Sequence, residues 1–324
     1  MPFSHHSHSG EFCGHATDSL EEVVKSAIDK RMTTFCMTEH MPRKRIDFYP
    51  EEEKQHTAES LEILFDKFYH EARRLQKAYA DQIQLFVGFE AEWIRDSSLE
   101  DIEKILKKYE LNLLVGSVHH VHKTPIDYDT TEYHKARSIA GGTDEAIFEQ
   151  YFDDQLAMLQ ALKPPVVGHF DLIRLKSDDS NGSFQRWPNV WSKILRNLRF
   201  IAEYDGVVEF NSSSLRKGMN EAYPKVEICK VSSTSNSSVP MLNHMQEFLA
   251  LGGRFTISDD SHGIAHIALN YDKVVDCIKR AGIPQMCFLA PVSDTVLPHD
   301  TRFPSAGWKS IDVAELEQLE FWKR

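Results

Sequence analysis

The sequence runs to 324 residues, 41% hydrophobic and 27% charged, with 37 Lys and Arg against 49 Asp and Glu for a net charge of −12. That length suits one large α/β domain or two ordinary ones, and the acidic balance argues against a surface built to neutralise nucleic-acid phosphates. No apolar run approaches the ~18 residues of a membrane span, no leader pattern opens the chain, and the five cysteines show no CxxC pair. Reduced thiols, a cytoplasmic location and no membrane partner are therefore the expectation.

Phe3 to Thr17, FSHHSHSGEFCGHAT, packs four histidines into little sequence. In an extended segment His6 and His8, two apart, point the same way, which is metal-ligand spacing. A solvated His-rich leader is an equal reading of these residues alone. Asp18 and Glu21 read as a cap and its partner for an amphipathic helix through Leu20, Val23, Val24, Ala27 and Ile28. Thr33 to Thr38 is a strand ending on Glu39 and His40, followed by a basic, Pro-containing loop, 42–50, and a long helix with Leu61, Leu64, Phe65 and Phe68 on one face. Gln84 to Gly88 is a strand delivering Glu90, and Leu99 to Tyr109 is a helix. Leu111 to Val118 is a strand delivering His119, before a polar insertion, Lys123 to Thr143, and a helix through Ile147, Tyr151, Leu156 and Leu159. Pro165 to Gly168 delivers His169. After a Ser/Asp/Asn loop and a helix around Trp191 and Leu198, Gly206 to Phe210 delivers Asn211. A Ser-rich loop, 232–238, and a helix, 241–251, lead to Arg254 to Ile257, which delivers Asp260 and His262. The chain closes with a helix from Tyr271 to Arg280, an apolar run from Met286 to Leu289 and a charged tail.

Seven strand-then-helix units argue for a parallel sheet, because parallel neighbours need crossover helices, and their number and length suit a closed barrel. Each unit places His, Glu, Asp or Asn just past the carboxyl end of its strand, the face of a β/α barrel where active sites lie. His6, His8, His15, His40, Glu90, His119, His169, Asp260 and His262 are too many for one tetrahedral ion. Imidazoles mixed with two carboxylates suit Zn, Fe or Mn in a cluster of two or three divalent ions. Glu90, from the central strand, is the expected bridging carboxylate, and Glu90, Asp260 and His262 are the expected catalytic residues. Each alone has an ordinary alternative as a hydrogen-bonded or salt-bridged structural residue.

The series HSH, CGH, TEH, GFEAE, GSVHH, GHFDLIR, EFNSSSLRKG and SDDSH resembles the motifs of the PHP phosphoesterases (polymerase and histidinol phosphatase) across nearly the whole chain. The EHMPR, PIDYD and NSSSLRKG segments are more similar to the monofunctional histidinol-phosphate phosphatase branch. The resemblance implies a distorted (β/α)7 TIM-like barrel forming a single domain over 1–324, with insertions near 41–57 and 121–143. It also implies a trinuclear site: His6, His8, Glu90 and Asp260 on one ion, Glu90, His119 and His169 on the second, and His15, His40 and His262 on the third. The implied reaction is hydrolysis of L-histidinol phosphate by a metal-bridging hydroxide.

Two other phosphatase chemistries fit less well. Asp127-Tyr128-Asp129-Thr130-Thr131 matches a DxDxT string but follows a polar loop rather than an apolar strand, which leaves Asp127 and Asp129 as residues that could face the substrate. Cys36 lies inside a strand pattern rather than in a phosphate loop. Arg216 has the planar fork to clamp a phosphate, with Asn211 and Arg43 as further substrate-binding candidates. The rival functions are a PHP phosphoesterase acting on a nucleotide or oligonucleotide end, disfavoured by the acidic charge, and a non-catalytic metal-binding protein, which would not need Arg216 beside the ions.

Overall fold

A computed structural model describes residues 2–229, 248–249, 251–294 and 300–322. The Ser-rich loop at 232–238 and most of the helix expected at 241–251 lie outside the described residues. Seven strands form one sheet: β1 (Phe3–Ser4), β3 (Thr34–Met37), β4 (Gln84–Glu92), β5 (Leu113–Ser117), β8 (Val166–Val167), β9 (Val207–Asn211) and β10 (Arg254–Ser258). They neighbour one another in that order and every pairing is parallel, as crossover helices require. Closure comes from the two continuations of the outer strands. β2 (Ser7–His8) pairs in parallel with β11 (Ser261–His262), setting His8 against His262. The result is the distorted (β/α)7 TIM-like barrel expected from the sequence.

Alternation along each strand divides the apolar residues into two sets. Phe35, Met37, Leu85, Val87, Leu114, Val167 and Val208 pack outward in the large core under the helices. Cys36, Phe86, Leu113, Val115, Val166 and Val207 face inward. The inward column of β4 therefore runs from Phe86 at the floor to Glu90 and Glu92 at the rim, and that of β9 from Val207 to Glu209 and Asn211. The floor is sealed by a hairpin that replaces the expected charged tail. β12 (Gln285–Pro291) pairs antiparallel with β13 (Ala306–Asp312), and Cys287, Leu289, Ala306 and Trp308 join the inward cluster. The tail folds because its first residues are apolar; only its later ones are exposed.

Two local expectations shift. The first helix (Leu20–Asp29) is capped by Ser19 with Glu22 in a capping box, one residue on from the expected Asp18 and Glu21. Asp18 is held at φ +65°, and its carboxylate accepts from Thr17 Oγ1 at 3.0 Å and Ile264 N at 2.9 Å instead. The polar insertion contains a short hairpin, β6 (His120–Val121) with β7 (Thr124–Pro125), and a helix from Thr130 to Ile139. Asp129 caps that helix by accepting from Glu132 N.

Where β1 and β10 meet, a side chain does the work of a backbone ladder. His5, wholly buried, has Nδ1 at 2.8 Å from Thr256 Oγ1 and 3.3 Å from Ile257 O, while its Nε2 accepts the Leu289 N–H at 3.0 Å. Burial lowers its pKa to about 4, so the ring is neutral and fixed in one tautomer. Replacing His5 by Ala leaves buried backbone groups unpaired at roughly 1–3 kcal/mol each. We expect urea denaturation of the metal-free His5→Ala protein to show a loss of about 2–4 kcal/mol; a change within error would mean that the seam does not rely on this ring.

Candidate metal centre

At the carboxyl ends of the strands the nine candidate ligands converge. His6 Nε2 lies 3.3 Å from Glu90 Oε1 and 3.8 Å from Asp260 Oδ1, and His8 Nε2 lies 3.6 Å from Glu90 Oε2 and from Asp260 Oδ1. His40 Nδ1 is 2.8 Å from Glu90 Oε2. His119 Nε2 and His169 Nε2 are 3.1 Å apart, at 3.3 and 3.0 Å from Glu90 Oε1. His15 Nε2 and His262 Nε2 are also 3.1 Å apart. Asp260 reaches the cluster with φ at +48°, a conformation a non-glycine residue holds only under constraint from its surroundings.

The sequence reading missed the carboxylates behind these imidazoles. Glu209 Oε1 lies 3.2 Å from His6 Nδ1 and also accepts the His169 backbone N–H at 2.7 Å. Glu39 Oε2 lies 3.2 Å from His8 Nδ1, and Glu92 Oε1 3.3 Å from His119 Nδ1. Glu209 and Glu39 accept from Nδ1 of His6 and His8 and turn their Nε2 lone pairs into the centre, the outer-shell arrangement that orients metal-binding histidines, while Glu92 faces His119 Nδ1 at ion-pair distance. Alternation was the available signal: Glu92 follows Glu90 by two residues, and Glu209 precedes Asn211 by two.

The donor set fits divalent cations. His6 Nε2, His8 Nε2 and both ring nitrogens of His40 are buried without a hydrogen-bond partner, a costly state unless a cation meets the lone pairs. Ligands ~2.0–2.1 Å from a tetrahedral ion stand about 3.3 Å from one another, close to the spacing of Glu90, His119 and His169. Four groups have ligand atoms within 4.8 Å of one another: His6, Glu90 and His169; His6, His8 and Asp260; His8, His40 and Glu90; and Cys13, His15, His40 and His262.

Electrostatics points the same way. Burial works against charge at Glu90 and Asp260, yet both are held well below the usual carboxylate range, His6 contributing most in each case. His6 is raised well above an ordinary imidazole against burial by Glu90, Glu209 and Asp260, and His119 is raised to about 9 by Glu90 and Glu92. His40 and His262, by contrast, are driven well below it by burial and by His8. The carboxylates demand positive charge that crowded imidazoles cannot all supply as protons.

The three substrate-binding candidates part company. Arg216 lines a cavity of about 340 Å³ together with Glu90, His119, His169, Asp260 and His262, and its Nη2 donates to Asp260 O at 3.2 Å. Asn211 does not reach that cavity: its amide donates to Glu209 Oε1 at 2.7 Å and its Oδ1 accepts from Ser213 N at 2.9 Å. Arg43 touches the cavity wall, but its guanidinium is engaged by Glu92 and Glu52 and lies over the Tyr49 ring. In both, carboxylates unrecognised in the sequence engage the donors: Glu209 for Asn211, Glu92 and Glu52 for Arg43.

Comparison with known proteins agrees with this geometry. The PHP domain profile matches residues 4–213. A probable histidinol-phosphatase of Schizosaccharomyces pombe is 39% identical over 89% of this chain and 90% of its own, and the histidinol-phosphatase of Saccharomyces cerevisiae is 33% identical over 98% of both. In fold, a histidinol phosphate phosphatase from Lactococcus lactis, crystallised with zinc, L-histidinol and phosphate, superposes with a TM-score of 0.63 at 19% identity, over 88% of this chain and 95% of that one. With a profile match across most of its length and two fungal relatives above 30% identity, the chain belongs to the PHP domain family.

Proposed function

We propose that the protein is a phosphoric monoester hydrolase that converts L-histidinol phosphate to L-histidinol and phosphate, the activity for which its fungal relatives are named. The observation that carries the reading is the gathering of seven histidines, all but His15 buried or half-buried, around Glu90 and Asp260 in the wall of a cavity that Arg216 also lines. In this reading three divalent ions are held, by His6, His8, Glu90 and Asp260, by Glu90, His119 and His169, and by His15, His40 and His262. Zinc is the first candidate, since it is present in the Lactococcus relative. The enzyme acts as one domain in the cytoplasm; one continuous core cluster from Phe3 to Phe321 supports the single domain.

Ions bound by such a set supply Lewis acidity, which lowers the pKa of water to about 7 and neutralises phosphoryl oxygens. The chain supplies the rest. Glu39 and Glu209 accept from Nδ1 of His8 and His6 and so hold their tautomers, and Glu92 faces Nδ1 of His119. Arg216 presents a planar fork to the phosphoryl oxygens beside Asp260, Lys217 adds a second cation at the same edge, and buried Leu172 closes one wall against water.

Three outcomes test this. Elemental analysis should find two or three transition-metal ions per chain, and stripping them with a chelator should abolish hydrolysis until zinc or manganese is restored; full activity in metal-free protein would sink the reading. Glu209→Gln keeps the shape of the side chain but gives up its charge on His6. Competition with a chromogenic chelator should show metal affinity weakened roughly 10- to 100-fold while the far-ultraviolet dichroism stays native. Arg216→Ala should keep its metals and lose roughly 10- to 100-fold in kcat/KM, the worth of a charge-assisted hydrogen bond at a half-exposed site.

A further inference from the structure

The cavity has two poles. One is the ion-binding cluster with Arg216 and Lys217. The other is built where the two insertions meet, and Tyr49, Glu51, Asp127 and Tyr128 line it. Tyr49 OH donates to Asp127 Oδ1 at 3.1 Å, tying the first insertion to the second, and the Tyr49 and Tyr128 rings lie 5.8 Å apart. Arg43 supports the Tyr49 ring from 4.8 Å while its own charge is matched by Glu92 and Glu52.

Two carboxylates at this pole lack a cation. Among the described residues no Lys or Arg pairs with Asp127 or Glu51, and Glu51 Oε2 is buried with no hydrogen-bond partner. Carboxylates matched by no cation, in a wall shared with two tyrosine rings, make a receptor for an organic cation, because aromatic rings add attraction to the ion pair.

We propose that Asp127, with Glu51 beside it, is the specificity-determining carboxylate that binds the substrate's primary ammonium group. This rests on the phosphatase reading above and extends it to a class: zwitterionic phosphate monoesters whose amine lies two carbons from the ester oxygen. The phosphoryl group goes to the cationic pole and the ammonium to the acidic one. A nucleotide or sugar phosphate would leave Asp127 desolvated and unpaired, and a site built to bond a polar group rejects ligands that lack it more strongly than an apolar pocket rejects a misfit.

The test compares Asp127→Asn, which can still accept from Tyr49 OH, with the wild type on two substrates: histidinol phosphate and the same ester without its amine, imidazolylpropyl phosphate. The wild type should prefer the amine-bearing ester, and Asp127→Asn should cut that preference in kcat/KM by roughly 10- to 100-fold. L-histidinol should become a weaker competitive inhibitor by a similar factor, and inorganic phosphate should shift far less. Glu51→Gln should reduce the same preference in the same direction. Equal losses on both esters, or a retained preference with an unaltered histidinol inhibition constant, would overturn the assignment to Asp127. A wild type that does not distinguish the two esters, or does not hydrolyse histidinol phosphate at all, would instead overturn the substrate reading on which it rests.

Discussion

Glu90 is 1% exposed and lies within 2.8 to 3.6 Å of ring nitrogens from His6, His8, His40, His119 and His169. A carboxylate taken out of water is tolerable only if concentrated positive charge meets it. Protons on the surrounding imidazoles cannot provide that charge throughout, because the rings crowd one another; His8 and His40 stack with centroids 4.1 Å apart. Small ions of higher charge resolve the conflict. The rest of the barrel can be read as the apparatus that brings residues from 6 to 262 within reach of one glutamate and holds their lone pairs inward.

The sequence announced the inner layer of this site and concealed the outer one. His6, His8, Glu90, His119, His169, Asp260 and His262 stand just past apolar strands, where a β/α barrel keeps its chemistry, and the alternation of apolar and polar residues was enough to find them. Glu209 was passed over because it sits inside VVEFN, a stretch that reads as plain strand; its spacing of two from Asn211 was the only cue, and the register, which turns Val207 into the floor and Glu209 toward His6, gives that cue its meaning. The hydrogen bonds of Arg43 and Asn211 were hidden for the same reason. Their partners Glu92 and Glu209 are inward strand residues whose direction depends on tertiary pairing. The closing hairpin was missed for a related reason: Ala306 and Trp308 have no periodic neighbours, and their burial follows from the open floor of the barrel, a feature no local pattern contains.

The two insertions show a division of labour within one cavity. The barrel strands supply a fixed, deeply buried cluster, whereas Tyr49 and Asp127 come from connecting segments, which tolerate change more readily than a core does. Selectivity for the leaving group can therefore vary without disturbing the cluster that carries the reaction.

The seam has a consequence for how the protein comes into being. His5 bonds to Thr256, Ile257 and Leu289, and His8 in β2 lies opposite His262 in β11. Chains are made from the amino end and tend to fold in that order, so the first histidines leave the ribosome long before their partners exist. Until the last barrel strand and the floor hairpin arrive, the lumen is open and the cluster lacks Asp260 and His262. A nascent chain would thus present exposed, exchangeable imidazole and carboxylate ligands, and the closed barrel would enclose them. Tight retention of ions would then report that the last barrel strand and the floor hairpin are in place.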